Sequence, residues 1–138
     1  MAETLITRSR TITEADIVNY AGYSGDFAPL HMDEEYARTT PFGGRILHGC
    51  ALLAICNGLI VQDGLLDDHL AFLGCTFTLQ APTRPGDTVH VEAETSSTRM
   101  TSDGVREVVV YDVRVLNQRG ETVMRSEWTL LREAAAVA

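Results

Sequence analysis

The sequence predicts an α+β domain in which an antiparallel sheet of about five strands wraps around one long central helix. Two observations predict it: the first half of the chain has a helical and loop-like pattern, and residues 70–131 are typical of consecutive strands separated by turns. Strands that follow one another directly pair mostly antiparallel. The 138 residues fit a single domain, residues 1–138, whose last few residues are expected to be disordered.

The first predicted helix covers residues 14–21. Thr13 is a suitable cap, acids occupy the first turn, and apolar side chains recur at helical spacing. Gly22 and Gly25 are expected to break this helix and to open a loop that continues through His31.

Two further helices are predicted. Asp33 can cap a short helix over residues 34–38. The segment 49–62 is hydrophobic nearly all round, which indicates a long helix that other elements must cover.

Five strands are predicted to supply that cover. They alternate or run apolar, are rich in β-branched residues, and lie near residues 4–12, 72–79, 88–97, 105–116 and 122–131. Good turn sequences separate the later four strands, at residues 82–87, 102–104 and 117–120.

Composition excludes two broad classes of protein. The net charge is −8 and all eleven basic residues are Arg, so the chain repels a phosphate backbone and we expect no nucleic-acid binding. The longest apolar run, residues 46–61, is shorter than the roughly 20 residues that cross a bilayer, so we expect no membrane segment.

The cysteines and the first residues favour a cytoplasmic location. Cys50, Cys56 and Cys75 form no CxxC pair and have apolar neighbours, as expected of reduced, buried thiols. Glu3 stands where an export signal would carry positive charge.

One group of residues suits catalysis. Residues 23–33 hold Asp26 and His31 in a segment braced by Gly25 and Pro29, so a carboxylate and an imidazole can point at one spot. Such a pair can hold a water for general acid–base chemistry. The spacing alone is weak, because a turn Asp and a packed His would produce the same pattern.

A second stretch, residues 41–49, places Gly49 at the start of the long apolar helix. The first turn of a helix has unpaired N–H groups and a partial positive charge. The Gly49 amide could therefore hold a carbonyl oxygen as that oxygen gains negative charge.

Together, residues 23–33 and 41–49 resemble the MaoC-like hydratase/dehydratase family of hot-dog fold proteins, which includes the (R)-specific enoyl-CoA hydratases. The family motif is an aromatic residue, a small residue, Gly-Asp-x-Asn-Pro-aliphatic-His, an acidic short helix and a His-Gly at the start of the central helix. The likeness extends to residues 85–89 and 117–121 and so covers nearly the whole chain.

The resemblance implies a lyase that adds or removes water across the α,β double bond of a 2-enoyl or 3-hydroxyacyl thioester. Asp26 and His31 match the family's catalytic pair, and Gly49 matches the residue whose amide polarises the thioester carbonyl. We interpret His31 as the base and Asp26 as the group that orients water and carries a proton, although two coupled groups share these tasks. Two departures, Ala28 for the family's Asn and Ala54 for a Ser of some hydratases, bear on the substrate.

Further residues are candidates for substrate binding: Tyr23, Ser24, Pro29, His48, Arg45 and Arg84. Arg45 and Arg84 are included because guanidinium pairs with phosphate. The resemblance implies no metal and no resident cofactor; coenzyme A or phosphopantetheine enters as part of an acyl-CoA or acyl-carrier-protein substrate. A homodimer or higher homo-oligomer is expected, since a monomer would leave sheet edges open.

Two alternatives stay open. The chain could be an acyl-CoA thioesterase in which Asp26 orients a water toward the carbonyl carbon, or a scaffold that binds acyl thioesters with little catalysis. Of the other polar residues, His69 and His90 are expected to be exposed and unpartnered. The acids at 33–35 are interpreted as helix-start charges rather than metal ligands.

Overall fold

The computed structural model describes residues 4–134 and confirms the α+β architecture. Over that range there are six strands: β1 (Thr4–Ile6), β2 (Arg10–Thr11), β3 (His69–Leu79), β4 (Thr88–Met100), β5 (Arg106–Leu116) and β6 (Thr122–Glu133). The same range contains four helices: α1 (Glu14–Ser24), α2 (Pro29–Met32), α3 (Glu34–Arg38) and α4 (Gly49–Gln62). The expected disorder at the C-terminus concerns residues 135–138, which lie outside the described range.

The sheet is antiparallel, with the strand order β1-β4-β5-β6-β3 and with β2 paired to β4. β4, β5 and β6 follow one another in the chain and form two adjacent hairpins. β3 does not pair with its chain neighbour β4; it pairs with β6 on the far side of the hairpins. This places β3 at one edge of the sheet.

Helix α4 packs against the inner face of the sheet, toward which alternate side chains of the strands point. In β4, for example, Val89, Val91 and Ala93 are buried and belong to one core cluster with Leu52 and Ile60 of α4. The burial of apolar side chains from both elements explains why this helix forms despite its lack of a polar face. The sheet therefore holds the N-terminus of α4 in a fixed place, beside the end of β3.

Several expected boundaries are wrong for physical reasons. The N-terminal strand is divided, because the Thr7 hydroxyl replaces a backbone acceptor and receives the Val91 N–H at 2.9 Å. Helix α1 continues past Gly22, and it ends only where Gly25 adopts a φ of 82°. His31 lies in the one-turn helix α2 rather than in a loop.

The expected exposure of His69 and the expected burial of all three cysteines are also wrong. His69 is not exposed, since the first residue of β3 turns its ring inward, where Nε2 lies 2.8 Å from the Tyr111 hydroxyl. Cys50 is exposed and Cys75 is half-buried, so only Cys56 is a buried thiol, and burial raises the pKa of Cys56 to about 12. None of the helices formed by residues 4–134 is long and apolar enough to cross a membrane.

Candidate active site

Asp26 is placed by the end of α1. The Gly25 N–H donates to Ala21 O at 2.8 Å, and the left-handed backbone of Gly25 turns the chain out of the helix directly before Asp26. The Asp26 carboxylate accepts the Ala28 N–H at 3.2 Å, and the Asp26 N–H donates to Ser24 Oγ at 3.1 Å. The remaining acceptor positions of this exposed carboxylate are open to a water or a substrate.

The His31 ring is held by one of its nitrogens, which leaves the other nitrogen free. Pro29 stands at the first position of α2, where its fixed φ suits a helix start, and His31 follows two residues later. The ring Nδ1 lies 2.8 Å from Ile46 O. Because a carbonyl oxygen only accepts, Nδ1 carries the hydrogen, and Nε2 keeps a lone pair that can take a proton.

Gly49 is the first residue of α4, and its N–H belongs to the helical turn that has no intrahelical acceptor. The Leu79 side chain at the end of β3 lies close to this position. A Cβ built on Gly49 would clash with Leu79 Cδ1, so any side chain here would require the exposed Leu79 side chain to move. The partial positive charge of the helix N-terminus therefore reaches the surface beside a residue with no side chain.

These elements converge on one spot. The ligand-type atoms of Asp26, His31 and His48 all lie within 4.8 Å of one another. The His31 and His48 rings stack with their centroids 3.8 Å apart and their planes at 25°. Gly49 follows His48 directly in the chain, so a carboxylate, an imidazole and a helix-start amide share one small region.

A cavity of about 390 Å³ opens beside this spot. His31 and Gly49 lie in its wall, and most other lining side chains are apolar: Phe42, Ile46, Leu47, Leu52, Leu79, Ala81 and Pro82. Gln80 and Thr83 complete the lining. An apolar cleft with a few polar groups at one end suits a small aliphatic group with a polar head.

The same three residues are the donor types of a metal site, but the rings are badly disposed for one ion. A ring nitrogen binds a metal through a lone pair in the ring plane, about 2.0–2.1 Å away for zinc. The planes of His31 and His48 are stacked and only 25° apart, so these lone pairs run side by side instead of converging. The geometry suits a water between carboxylate and imidazole better than a shared cation.

The other predicted substrate-binding residues are more scattered. Tyr23 is 92% exposed and Ser24 donates to Tyr20 O, so Ser24 acts on the end of α1. The Arg45 guanidinium is already paired with the carboxylates of Glu14 (2.9 Å) and Glu34 (2.8 Å).

Those two carboxylates raise the pKa of Arg45, and the hydrogen bonds from Arg45 hold the pKa of Glu34 below its usual value. Arg45 is thus satisfied by protein groups. Arg84 is half-exposed beside it, and within residues 4–134 no ion pair engages its side chain.

The departures from the family motif lie in different places. Ala28 precedes Pro29 and gives its N–H to Asp26, so the missing amide would have been next to the carboxylate. Ala54 lies on the exposed side of α4, in a shallow depression with Phe72 and Trp128. Only Ala28 therefore touches the Asp26 region directly.

Tyr20 is a site residue that the sequence analysis missed. Its ring packs against His48, with the centroids 4.7 Å apart and the planes tilted by 55°. Burial, followed by the proximity of Cys50, raises the pKa of Tyr20, so the phenol stays protonated at neutral pH. Tyr20 lies one helical turn before Ser24, and this spacing was the available signal, because residues four apart share a helix face.

Comparisons with known proteins show the family to which the chain is similar. A family model described as "MaoC like domain" matches residues 2–118. The chain is 39% identical to Protein MaoC of Klebsiella aerogenes over 64% of this chain, and the match spans about a quarter (27%) of that protein.

Two other similarities cover most of both partners. The (R)-specific enoyl-CoA hydratase of Aeromonas caviae is 29% identical over 86% of this chain and 85% of that protein. The crystal structure of a MaoC-like dehydratase from Rhodospirillum rubrum has a TM-score of 0.90 at 32% identity, over 99% of this chain and 94% of that chain. The same fold and chain length thus recur in proteins named as dehydratase and hydratase.

Proposed function

Since this chain belongs to the MaoC-like domain family, we propose that it is a lyase that adds water to the α,β double bond of a 2-enoyl thioester and removes it in the reverse direction. One observation carries the proposal. Asp26 and the imidazole of His31 converge beside the unpaired N-terminal amide of α4, at the mouth of an apolar cavity. The similarity to an (R)-specific enoyl-CoA hydratase over most of both chains supports it.

The hydrogen bonding of His31 supports its role as the base. His31 Nδ1–H donates to Ile46 O, so Nε2 takes one proton from the water while the water oxygen bonds to Cβ. The open acceptor positions of Asp26 hold the water from its other side. The proton taken from the water then returns to Cα through this pair, which balances the addition of one hydrogen and one hydroxyl.

The Gly49 amide acts on the thioester. As the water oxygen attacks Cβ, the double-bond electrons move toward the carbonyl and its oxygen gains negative charge. A helix N-terminal N–H stabilises that oxygen, and the loss of one such donor typically costs about 3–4 kcal/mol of transition-state stabilisation. The lack of a side chain at Gly49 lets the carbonyl come close.

The substrate is an acyl thioester of coenzyme A or of an acyl carrier protein. The apolar cavity lining suits the aliphatic part of the acyl group. Arg84, at the half-exposed edge near Arg45, is the better candidate for a phosphate of the thioester arm, because Arg45 is engaged by two carboxylates.

The test is the loss of enoyl-thioester absorbance when the purified protein meets a short 2-enoyl-CoA. An Asp26→Asn variant keeps the shape and removes the charge, so we expect its turnover to fall about 10²- to 10⁴-fold, the usual contribution of general acid–base catalysis. Asp112→Asn is the matched control, since Asp112 is an exposed carboxylate on β5 away from the cavity. Equal turnover in wild type and Asp26→Asn would contradict the assignment.

The same assay separates the alternatives. Release of free thiol without hydration would indicate a thioesterase. Acyl-CoA binding without either reaction, unchanged by Asp26→Asn, would indicate a scaffold.

We further propose a homodimer formed through the edge strand β3. In the part of the chain that the structure describes, β3 pairs only with β6, so its other edge has free backbone groups. This edge also exposes large apolar side chains at Leu70, Phe72, Leu73, Phe77 and Leu79. A second copy of the chain would pair the edge and cover the apolar side chains together.

The proposed location is the cytoplasm, supported by three free thiols, one of them exposed at Cys50. Fractionation of cells with an antibody against the protein tests it, and recovery outside the cytoplasm would contradict it.

A further inference from the structure

His48 is a buried histidine that lies between the proposed catalytic groups and the end of α1. It is 2% exposed, with its ring stacked on His31 and the tilted Tyr20 ring 4.7 Å away, centroid to centroid. A thioester therefore finds almost no exposed surface of His48 to contact. The role of His48 therefore depends on the hydrogen bonds of its ring nitrogens.

The hydrogen bond of His48 defines its tautomer. Nε2 lies 2.9 Å from the backbone oxygen of Asp26, and since that oxygen only accepts, Nε2 carries the hydrogen. Nδ1 is buried and has no hydrogen-bond partner among residues 4–134. Within that range, Nε2–H is therefore the group through which a hydrogen bond holds the ring.

This bond ties down a segment that is otherwise held only locally. In the described chain, the other hydrogen bonds of residues 25–28 stay within α1, α2 and the segment itself. His48 is 22 positions away in sequence and belongs to the start of α4. Among the hydrogen bonds that residues 4–134 form, it alone links the Asp26 backbone to the start of the helix that supplies the Gly49 amide.

The stretch 46–49 thus contacts or supplies all three proposed groups. Ile46 O accepts from His31, His48 donates to Asp26 O, and Gly49 is the helix-start residue. The spacing between carboxylate, imidazole and amide depends on four consecutive residues. Such spacing matters, because misplacement by about 1 Å can cost about 100-fold in rate.

We propose that His48 is a positioning residue: its Nε2–H fixes the main chain at Asp26, and its ring supports His31, so that both groups keep their distance from the Gly49 amide. The kinetic consequence rests on the proposed hydration of enoyl thioesters. The structural consequence, a fixed segment 25–28, does not.

Two variants test the bond itself. In His48→Gln the side-chain amide can donate to the same carbonyl, whereas His48→Leu retains bulk without a donor. We expect His48→Leu to lose about 10- to 100-fold in kcat with KM changed less than about threefold, and His48→Gln to stay within about threefold of wild type in both. A rise in KM alone would mean that His48 contacts substrate, and equal loss in both variants would mean that the hydrogen bond is not what matters; either result overturns the proposal.

The matched control removes another inward-facing histidine. The His69 ring shares a hydrogen bond with the Tyr111 hydroxyl. His69 follows the C-terminal end of α4 in the chain, and this helix of 14 residues is about 21 Å long. His69→Leu should lower Tm without changing kcat. A fall in kcat as large as that of His48→Leu would show that any lost buried imidazole has this effect, and would contradict the proposal.

Hydrogen exchange separates this inference from the proposed function. The amides of residues 26–28 should exchange at least tenfold faster in His48→Leu than in wild type and His48→Gln. If wild type hydrates no enoyl thioester, the proposed function fails, and the exchange result still decides the positioning role. Unchanged exchange in His48→Leu overturns it whatever the activity.

Discussion

At the scale of single residues, Thr83 has a buried hydroxyl that should lower the stability of the fold. It is 4% exposed, its Oγ1 has no hydrogen-bond partner among residues 4–134, and its own carbonyl accepts the Leu47 N–H at 2.7 Å. A buried hydroxyl without a partner costs about 1–3 kcal/mol. The Thr83 backbone therefore helps to hold the stretch before α4, whereas its hydroxyl lowers the free energy of unfolding.

Thr83→Val should stabilise the protein. Valine keeps the shape and replaces the hydroxyl with a methyl group, so we expect a gain of roughly 1 kcal/mol and a Tm higher by a few degrees, measured by thermal unfolding. Thr83→Ser, which keeps the hydroxyl and loses the methyl, is the control and should be destabilised. A lower Tm for Thr83→Val would reveal a hydrogen bond to an ordered water.

At the scale of elements, the end of α1 decides where Asp26 lies. Gly22 and Gly25 stand three residues apart, yet only Gly25 has a positive φ, of 82°. Gly22 lies inside α1, and a Cβ there would meet no atom within 4 Å. Glycine therefore weakens the helix at position 22, whereas at position 25 it permits the backbone conformation that ends the helix.

Substitution of each by alanine should change stability in opposite directions. Gly22→Ala should stabilise by up to about 1 kcal/mol, the helix propensity difference, with activity unchanged. Gly25→Ala should destabilise by about 1–2 kcal/mol, since alanine resists the left-handed region, and should also lower turnover by shifting Asp26. Denaturant unfolding and the hydration assay measure both. Equal effects from the two changes would contradict this account of the helix end.

The accuracy of the sequence predictions follows from how local each signal is. Asp33 caps α3 by accepting the Tyr36 N–H, and α3 and α4 begin and end where the sequence predicted, because caps and apolar runs are local. Helix α2 was not predicted, since four residues show no periodicity. The stacking of Tyr20, His48 and His31 was not predicted either, because it depends on how α1 packs beside α4.

At the scale of the whole molecule, the position of β3 was also beyond the sequence. Neighbouring strands in the chain usually pair, but β3 lies beside β6, with the β4–β5–β6 hairpins between it and β1. The resulting apolar edge is the surface on which the proposed homodimer depends.

A charge on that edge should dissociate the dimer. Leu73 on β3 is 54% exposed, and Leu73→Asp would place an unpaired carboxylate in the proposed interface. Val105→Asp, at a turn residue with a similar exposure of 53%, is the control. Light scattering after gel filtration should give a dimer mass for wild type and Val105→Asp and a monomer mass for Leu73→Asp. A monomeric wild type would contradict the proposal.

The sequential hairpins of β4, β5 and β6 also bear on the order of folding. Contacts between chain neighbours close small loops and form early, whereas β1 pairs with β4 across most of the chain. The single tryptophan, Trp128, is buried in β6. Because Trp128 also lies beside Ala54 of α4, its fluorescence in a stopped-flow experiment would follow the packing of α4 on the hairpins. Recovery of turnover would also require the placement of Asp26 and His31, and the delay between the two signals would time the assembly of the site.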